Sequence, residues 1–170
     1  MKIQKTPLDG VLLLEPEFRF KDDRGETVCV FEEAVLCAAT NLAIAFPKHN
    51  FSISRKNVLR GIHVSNLWKI AYCTVGFIQA VAVDCREGPT FGRWWDCNIN
   101  EINRNMMLVP PMFGLAHLAV SDMVIFHYHW SGRFDGDEQK TYRWDDPKFG
   151  IPWMTKNPIL SERDANAKLY

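Results

Sequence analysis

Apolar residues recur along this chain in short runs rich in β-branched and aromatic side chains, without the three-to-four-residue spacing that marks amphipathic helices. The pattern predicts strands over 10–14, 27–31, 58–63, 70–75, 77–84, 94–99, 106–109, 115–120 and 124–130. Gly, Pro, Asn and Asp punctuate these runs. Such spacing predicts a mostly β fold, an antiparallel sandwich or barrel. Residues 31–45 (FEEAVLCAATNLAIA) are the one convincing helical candidate. Glu32 and Glu33 fall in its first turn, where the helix dipole favours carboxylates, and the helix is expected to pack outside the β core. From Asp145 onward, Pro147, Pro152 and Pro158 predict an irregular course over the surface, because proline disfavours helix interiors and central strands.

No internal repeat, low-complexity tract or linker interrupts the pattern, so residues 1–170 are read as one domain, large enough to bury roughly two thirds of its unfolded surface. The 20 basic and 20 acidic residues cancel. A balanced chain has no broad electrostatic attraction for nucleic acid or a membrane surface, so any anionic ligand must be met by local cations. Five cysteines (Cys29, Cys37, Cys73, Cys85 and Cys97) contain no C-x-x-C pair and are odd in number, which argues against a zinc knuckle and a complete disulfide framework. The opening residues lack an apolar targeting segment, and no apolar run approaches the ~20 residues that span a bilayer. A soluble, cytoplasmic protein with free thiols is expected.

The stretch Asn57-Val58-Leu59-Arg60-Gly61-Ile62-His63 sets a fixed cation and a titratable imidazole three residues apart, behind a glycine, in a β-rich segment. That is one way to grip an anionic substrate beside a general base. The same histidine also suits a structural or surface position. His127 and His129, at i and i+2, share a strand face and suggest a metal-dependent cupin with His117 as a further ligand. The carboxylate that usually follows such a pair is missing from Trp130-Ser131-Gly132-Arg133.

More of the chain falls into a recognisable order. Phe20-Lys21-Asp22-Asp23-Arg24-Gly25-Glu26 precedes the Arg60–His63 motif; Ala80-Val81-Ala82-Val83-Asp84-Cys85-Arg86, Gly88-Pro89-Thr90-Phe91-Gly92, Tyr142-Arg143-Trp144-Asp145-Asp146-Pro147 and Ser161-Glu162-Arg163-Asp164-Ala165 follow it. In this order and spacing the chain resembles the dTDP-4-dehydrorhamnose 3,5-epimerase family, from about Thr6 to Ala167. The resemblance implies a cupin-type jelly-roll barrel with a few short peripheral helices, and a homodimer with exchanged N-terminal strands. It implies an isomerase that epimerises C3, C5 or both of a nucleoside-diphosphate 4-keto-6-deoxysugar through an enolate, needing neither metal nor organic cofactor.

Residue by residue, the resemblance implies His63 as base, Asp164 as the carboxylate that orients it, Tyr128 as the acid on the opposite face, and Lys69 beside the C4 oxygen. It implies Arg60 bridging the keto oxygen and diphosphate, and Arg24 reaching the diphosphate, commonly across the dimer interface. Glu26, Asn50 and His117 are expected to add further substrate contacts.

The departures from the family pattern fall on these contacts. Glu26 stands at the first aromatic position after the arginine-glycine pair, and Cys29 stands where a glutamate belongs. In Pro110-Pro111-Met112-Phe113-Gly114-Leu115-Ala116-His117, Leu115 takes the usual histidine position and a histidine appears two residues on. Two residues along a strand keep the same face, so His117 can point into the barrel and replace the missing imidazole near the C4 oxygen; a packed or cleft-mouth histidine fits the sequence equally well. With Lys48-His49-Asn50-Phe51 and the short connection from His63 to Lys69, these features resemble epimerases of 6-deoxyheptose and related capsule pathways, which act on GDP-linked 4-keto sugars. A 3,4-ketoisomerase shares the same acid and base set and is one alternative; a non-catalytic sugar-nucleotide-binding cupin is another, against which the presence of His63, Tyr128, Lys69 and Asp164 together speaks.

Overall fold

A computed structural model describes residues 1–133 and 139–170. Within them the chain forms β1 (Lys2–Lys5), β2 (Leu12–Glu15), β3 (Glu17–Asp22), β4 (Gly25–Cys29), α1 (Glu33–Thr40), β5 (Lys48–Arg55), β6 (Leu59–Val64), β7 (Lys69–Val75), β8 (Phe77–Asp84), β9 (Trp94–Asn100), β10 (Met106–Val109), β11 (Phe113–Ala119), β12 (Met123–Trp130), β13 (Lys140–Thr141) and α2 (Glu162–Ala165). A six-stranded sheet of order β1-β2-β10-β7-β12-β5 and a five-stranded sheet of order β13-β6-β11-β8-β9 carry the fold, and β3 and β4 form a separate hairpin. All pairings between these strands are antiparallel.

Three apolar layers explain the hydrophobic runs. Between the sheets, Ala71, Cys73, Ile78, Ala80, Met107, Phe113, Val124 and Phe126 form the central core. On the outer face of the five-stranded sheet, Ile62, Val64, Val81, Val83 and Ala116 are covered by Phe149 and Ile151 from the chain's last stretch. On the outer face of the six-stranded sheet, Leu14, Ile70, Met106 and Leu108 are covered by Leu36 of α1 with Ile44 and Phe46. A strand buried on both faces reads as an unbroken apolar run, which is why β8 and β10 coincide with the expected 77–84 and 106–109. Each such Ile or Leu contributes roughly 1.5–3 kcal/mol by leaving water.

The helix is shorter than the pattern predicts. Eight residues are helical, and the turn ends at Asn41, whose φ of 55° is left-handed, a conformation that asparagine tolerates as a helix stop. Glu33 keeps its place in the first turn, while Glu32 is the N-cap residue. β1, β3, β5 and β13 escape the hydrophobic pattern. The five cysteines are free. No helix among the described residues is long and apolar enough to cross a membrane.

One local irregularity positions the site. Arg60 and His63 are an odd number of residues apart, and a regular strand would turn them to opposite faces. Along β11, however, Leu115 pairs with His63 and His117 pairs with Arg60, so two steps on β11 oppose three on β6. This bulge turns both side chains to the inner face. At its centre Gly61 has φ +126°, and a Cβ there would lie 2.5 Å from the Ala116 Cβ, 2.7 Å from its Cα and 2.8 Å from the Leu115 carbonyl oxygen. Only glycine combines that dihedral with that approach. Gly61→Ala is therefore expected to lower unfolding stability by about 2–4 kcal/mol; a chemical-denaturation midpoint matching the wild type would refute this account of the bulge.

Candidate active site

A cavity of about 240 Å³ opens between the two sheets, lined by Asn50, Ser52, Arg60, His63, Lys69, Leu115, His117, Tyr128 and Trp130 among others. His63, Arg60 and His117 come from the β6–β11 wall, and Lys69, Tyr128 and Asn50 from the β7–β12–β5 wall. Six of the nine site residues expected from the sequence thus line one cavity, and Asp164 stands directly behind His63.

The Nε2 atom of His63 lies 2.7 Å from Oδ1 of Asp164. The other carboxylate oxygen accepts the Gly61 N–H at 3.3 Å. Asp164 reaches this place through a chain of local bonds. The Asn57 carbonyl accepts the Ile159 N–H at 2.7 Å and the Ile159 carbonyl accepts the Leu59 N–H at 3.0 Å, which lays the end segment along β6. Ser161 then caps α2, its hydroxyl accepting the Asp164 N–H at 3.2 Å. Burial on its own would raise the Asp164 carboxyl, but the hydrogen bond and charge of His63, with Gly61 and Ser161, hold it below the ordinary carboxylate range. An ionised Asp164 accepts, so the hydrogen-bond network assigns the proton of neutral His63 to Nε2 and leaves Nδ1 as the basic atom.

Across the cavity, burial pushes the Tyr128 phenol up to about 12, so it keeps its proton at neutral pH and is equipped to donate it. Lys69 is only 1% exposed. Its ammonium donates to the Phe113 carbonyl at 2.7 Å and, more distantly, to the His63 carbonyl at 3.4 Å, and burial lowers it to about 7. Arg60, a permanent cation, donates through Nε to Ser54 Oγ at 3.3 Å. Ser52 and Ser54 are not among the expected site residues; their signal is the alternation of polar and apolar residues in Asn50-Phe51-Ser52-Ile53-Ser54. His117 stacks on Phe126 with centroids 3.7 Å apart, and burial, with Arg60 and His63 nearby, lowers it to about 3.

Two expected contacts lie elsewhere. Arg24 sits at the turn of the β3–β4 hairpin with its side chain 83% exposed, paired at 2.7 Å to Asp22, and Glu26 pairs with Arg104. Neither lines the cavity of its own chain, because the hairpin is outside both main sheets.

The premise of the metal-cupin alternative also changes. His127 and His129 do share a face, but it is the outer one, where His127 lies 2.9 Å from the Thr74 hydroxyl, His129 lies 3.2 Å from the Tyr72 hydroxyl, and Tyr72 stacks on His127. His117 belongs to the opposite, inner face. Among the described residues no three His, Cys, Asp or Glu side chains converge as a metal set.

The depressed Lys69 has a measurable consequence. Between about 7 and its ordinary 10.5, the unfolded chain binds a proton at this lysine that the folded chain has released, so this group makes stability rise with pH across that window. In a series of unfolding experiments at increasing pH, the stability of wild type relative to Lys69→Met is expected to grow from pH 7 to 10. A difference independent of pH would show that Lys69 keeps an ordinary titration.

Comparison with known proteins gives the family. The family model for dTDP-4-dehydrorhamnose 3,5-epimerase matches residues 5–170. The dTDP-4-dehydrorhamnose 3,5-epimerase of Shigella flexneri is 32% identical over 175 residues, covering 100% of this chain and 96% of that protein. A 4-keto-6-deoxy sugar epimerase from the novobiocin gene cluster of Streptomyces spheroides superposes with a TM-score of 0.95 at 29% identity, over 99% of this chain and 87% of the other. The Legionella pneumophila dTDP-6-deoxy-D-glucose-3,5-epimerase, solved with dTDP-4-keto-L-rhamnose, superposes with a TM-score of 0.93 at 29% identity, over 99% and 92%. With its jelly-roll sheets and these relatives, the chain belongs to the dTDP-4-dehydrorhamnose 3,5-epimerase family and is an epimerase of the isomerase class.

Proposed function

We propose that this enzyme inverts C3, C5 or both of a nucleoside-diphosphate 4-keto-6-deoxysugar through an enolate, in the synthesis of a surface-polysaccharide precursor. The observation that carries the reading is the His63–Asp164 pair on one wall of a cavity whose other wall carries a protonated Tyr128 and a buried Lys69. A C–H bond next to the C4 ketone gives up its proton to Nδ1 of His63, and the electron pair moves to the C4 oxygen. Asp164 stabilises the imidazolium that forms. Lys69 and Arg60 meet the oxyanion in a partly dry site, where a charge acts more strongly than in water. Tyr128 returns a proton to the same carbon from the other side, which inverts it.

The relatives' dTDP-linked sugars make a dTDP-4-keto-6-deoxyhexose the leading substrate. A GDP-linked 4-keto-6-deoxyheptose is the second reading, favoured by Leu115, which stands in the cavity wall where the family pattern has a histidine. Incubation in D2O with each ketosugar, followed by NMR at C3 and C5, tests the reaction and chooses between the nucleotides. His63→Ala is expected to slow exchange by about 10²- to 10⁴-fold. Tyr128→Phe is expected to retain exchange while inversion falls sharply. Full exchange activity in His63→Ala would overturn the mechanism, and equal losses of exchange and inversion in Tyr128→Phe would give that residue another role.

The enzyme is further inferred to act as a homodimer in which Arg24, exposed and outside its own cavity, serves the diphosphate in a partner's. Mixing inactive Arg24→Ala and His63→Ala subunits should then restore one intact site per mixed dimer. Failure to regain any activity on mixing would place Arg24 on its own chain's substrate or outside the chemistry.

A further inference from the structure

We propose that His117 is a specificity-determining residue that hydrogen-bonds a ring hydroxyl of the bound ketosugar. The inference rests on the reaction proposed above and names a contact within it.

His117 is 1% exposed, yet it lines the cavity, and among the described residues its Nε2 atom has no hydrogen-bond partner. Buried polar atoms are nearly always paired, so an orphan on a side chain that lines a cavity marks a place where a ligand can supply the partner. The ring is held in place independently of any ligand. Phe126 stacks on it at 3.7 Å with planes 17° apart, Tyr128 meets it edge-on at 6.0 Å, and its backbone is registered opposite Arg60. Along β11, Leu115 and His117 are the residues that reach the cavity, and of these only His117 carries a polar group.

The chemistry of the partner follows from the ring's charge. Burial and the neighbouring Arg60 and His63 keep the imidazole uncharged, so it offers one donor and one acceptor nitrogen and no Coulomb attraction for phosphate. A phosphate oxygen only accepts and is better served by Arg60. A hydroxyl both donates and accepts, and it satisfies Nε2 in either tautomer. A sugar carbon carrying a hydroxyl beside the reacting centres meets that description; a deoxygenated carbon leaves Nε2 without a partner, which is how a polar pocket rejects a deoxy analogue.

The test uses solvent deuterium uptake at C3 and C5, with the parent 4-ketosugar nucleotide and its 2-deoxy and 3-deoxy analogues. Wild type is expected to favour the parent over one of the two analogues by about ten- to a hundredfold. That ratio should collapse in His117→Leu and recover in His117→Gln, which restores a hydrogen-bonding group. A structural role for His117 would lower both rates together and leave the ratio as it was, and that result would overturn the inference while leaving the reaction standing. Wild type that exchanges no ketosugar would remove the reaction itself, and the assignment of His117 with it.

Discussion

The close contact between β6 and β11 at Gly61 is the constraint on which the rest of the site depends. Without a side chain there, the two backbones approach until a Cβ would overlap Ala116, and the extra residue on β6 is absorbed in the same place. That irregularity turns Arg60 and His63 into one cavity while Leu59, Ile62 and Val64 stay buried in the surrounding apolar layers. The Gly61 N–H also donates to Asp164, so the same residue that bends the strand anchors the carboxylate behind the proposed base. Backbone geometry, packing and electrostatics converge on one glycine.

The cavity is arranged so that little fixed charge stands in it before substrate arrives. Burial drives Lys69 toward neutrality, keeps His117 uncharged and keeps the Tyr128 proton in place, each for the same reason, that the charged form is poorly solvated there. Asp164 is the exception, an ionised group held by His63 and the Gly61 N–H. Arg60 supplies the permanent positive charge. A site of this kind answers a developing enolate with groups whose charge is not already quenched by water, and the walls of two packed sheets provide the dryness.

Much of this was legible in the sequence, and the gaps have physical reasons. Strands buried on both faces, such as β8 and β10, stand out because no polar position interrupts them. β5 was invisible because its pattern is inverted. Asn50, Ser52 and Ser54 face inward, to the cavity and to Arg60, while Phe51 and Ile53 are exposed at the sheet edge. A strand that lines a polar cavity keeps the alternation but turns its polar residues inward. The Arg60–His63 spacing pointed to chemistry but not to the bulge that makes the spacing work. The pairing of His63 with Asp164 was reachable only through family resemblance, since it joins positions 101 residues apart. The same resemblance brought Arg24 and Glu26 into the site, whereas the chain's own geometry leaves them on the hairpin.

The way the last segment is attached has a consequence for how the protein would fail. Residues 147–153 cover the outer face of the five-stranded sheet through Phe149 and Ile151, whereas Asp164 is delivered by polar ties, two backbone bonds at Ile159, a single capped turn and the Arg163 bonds to Thr141 and the Gln139 carbonyl. Proteolytic loss of the residues after Ile159 would leave both sheets and their core complete while stripping His63 of its carboxylate. Such a clipped protein would keep its fold at some cost in stability, since the Gly61 N–H also loses its acceptor, while its turnover would fall far more steeply.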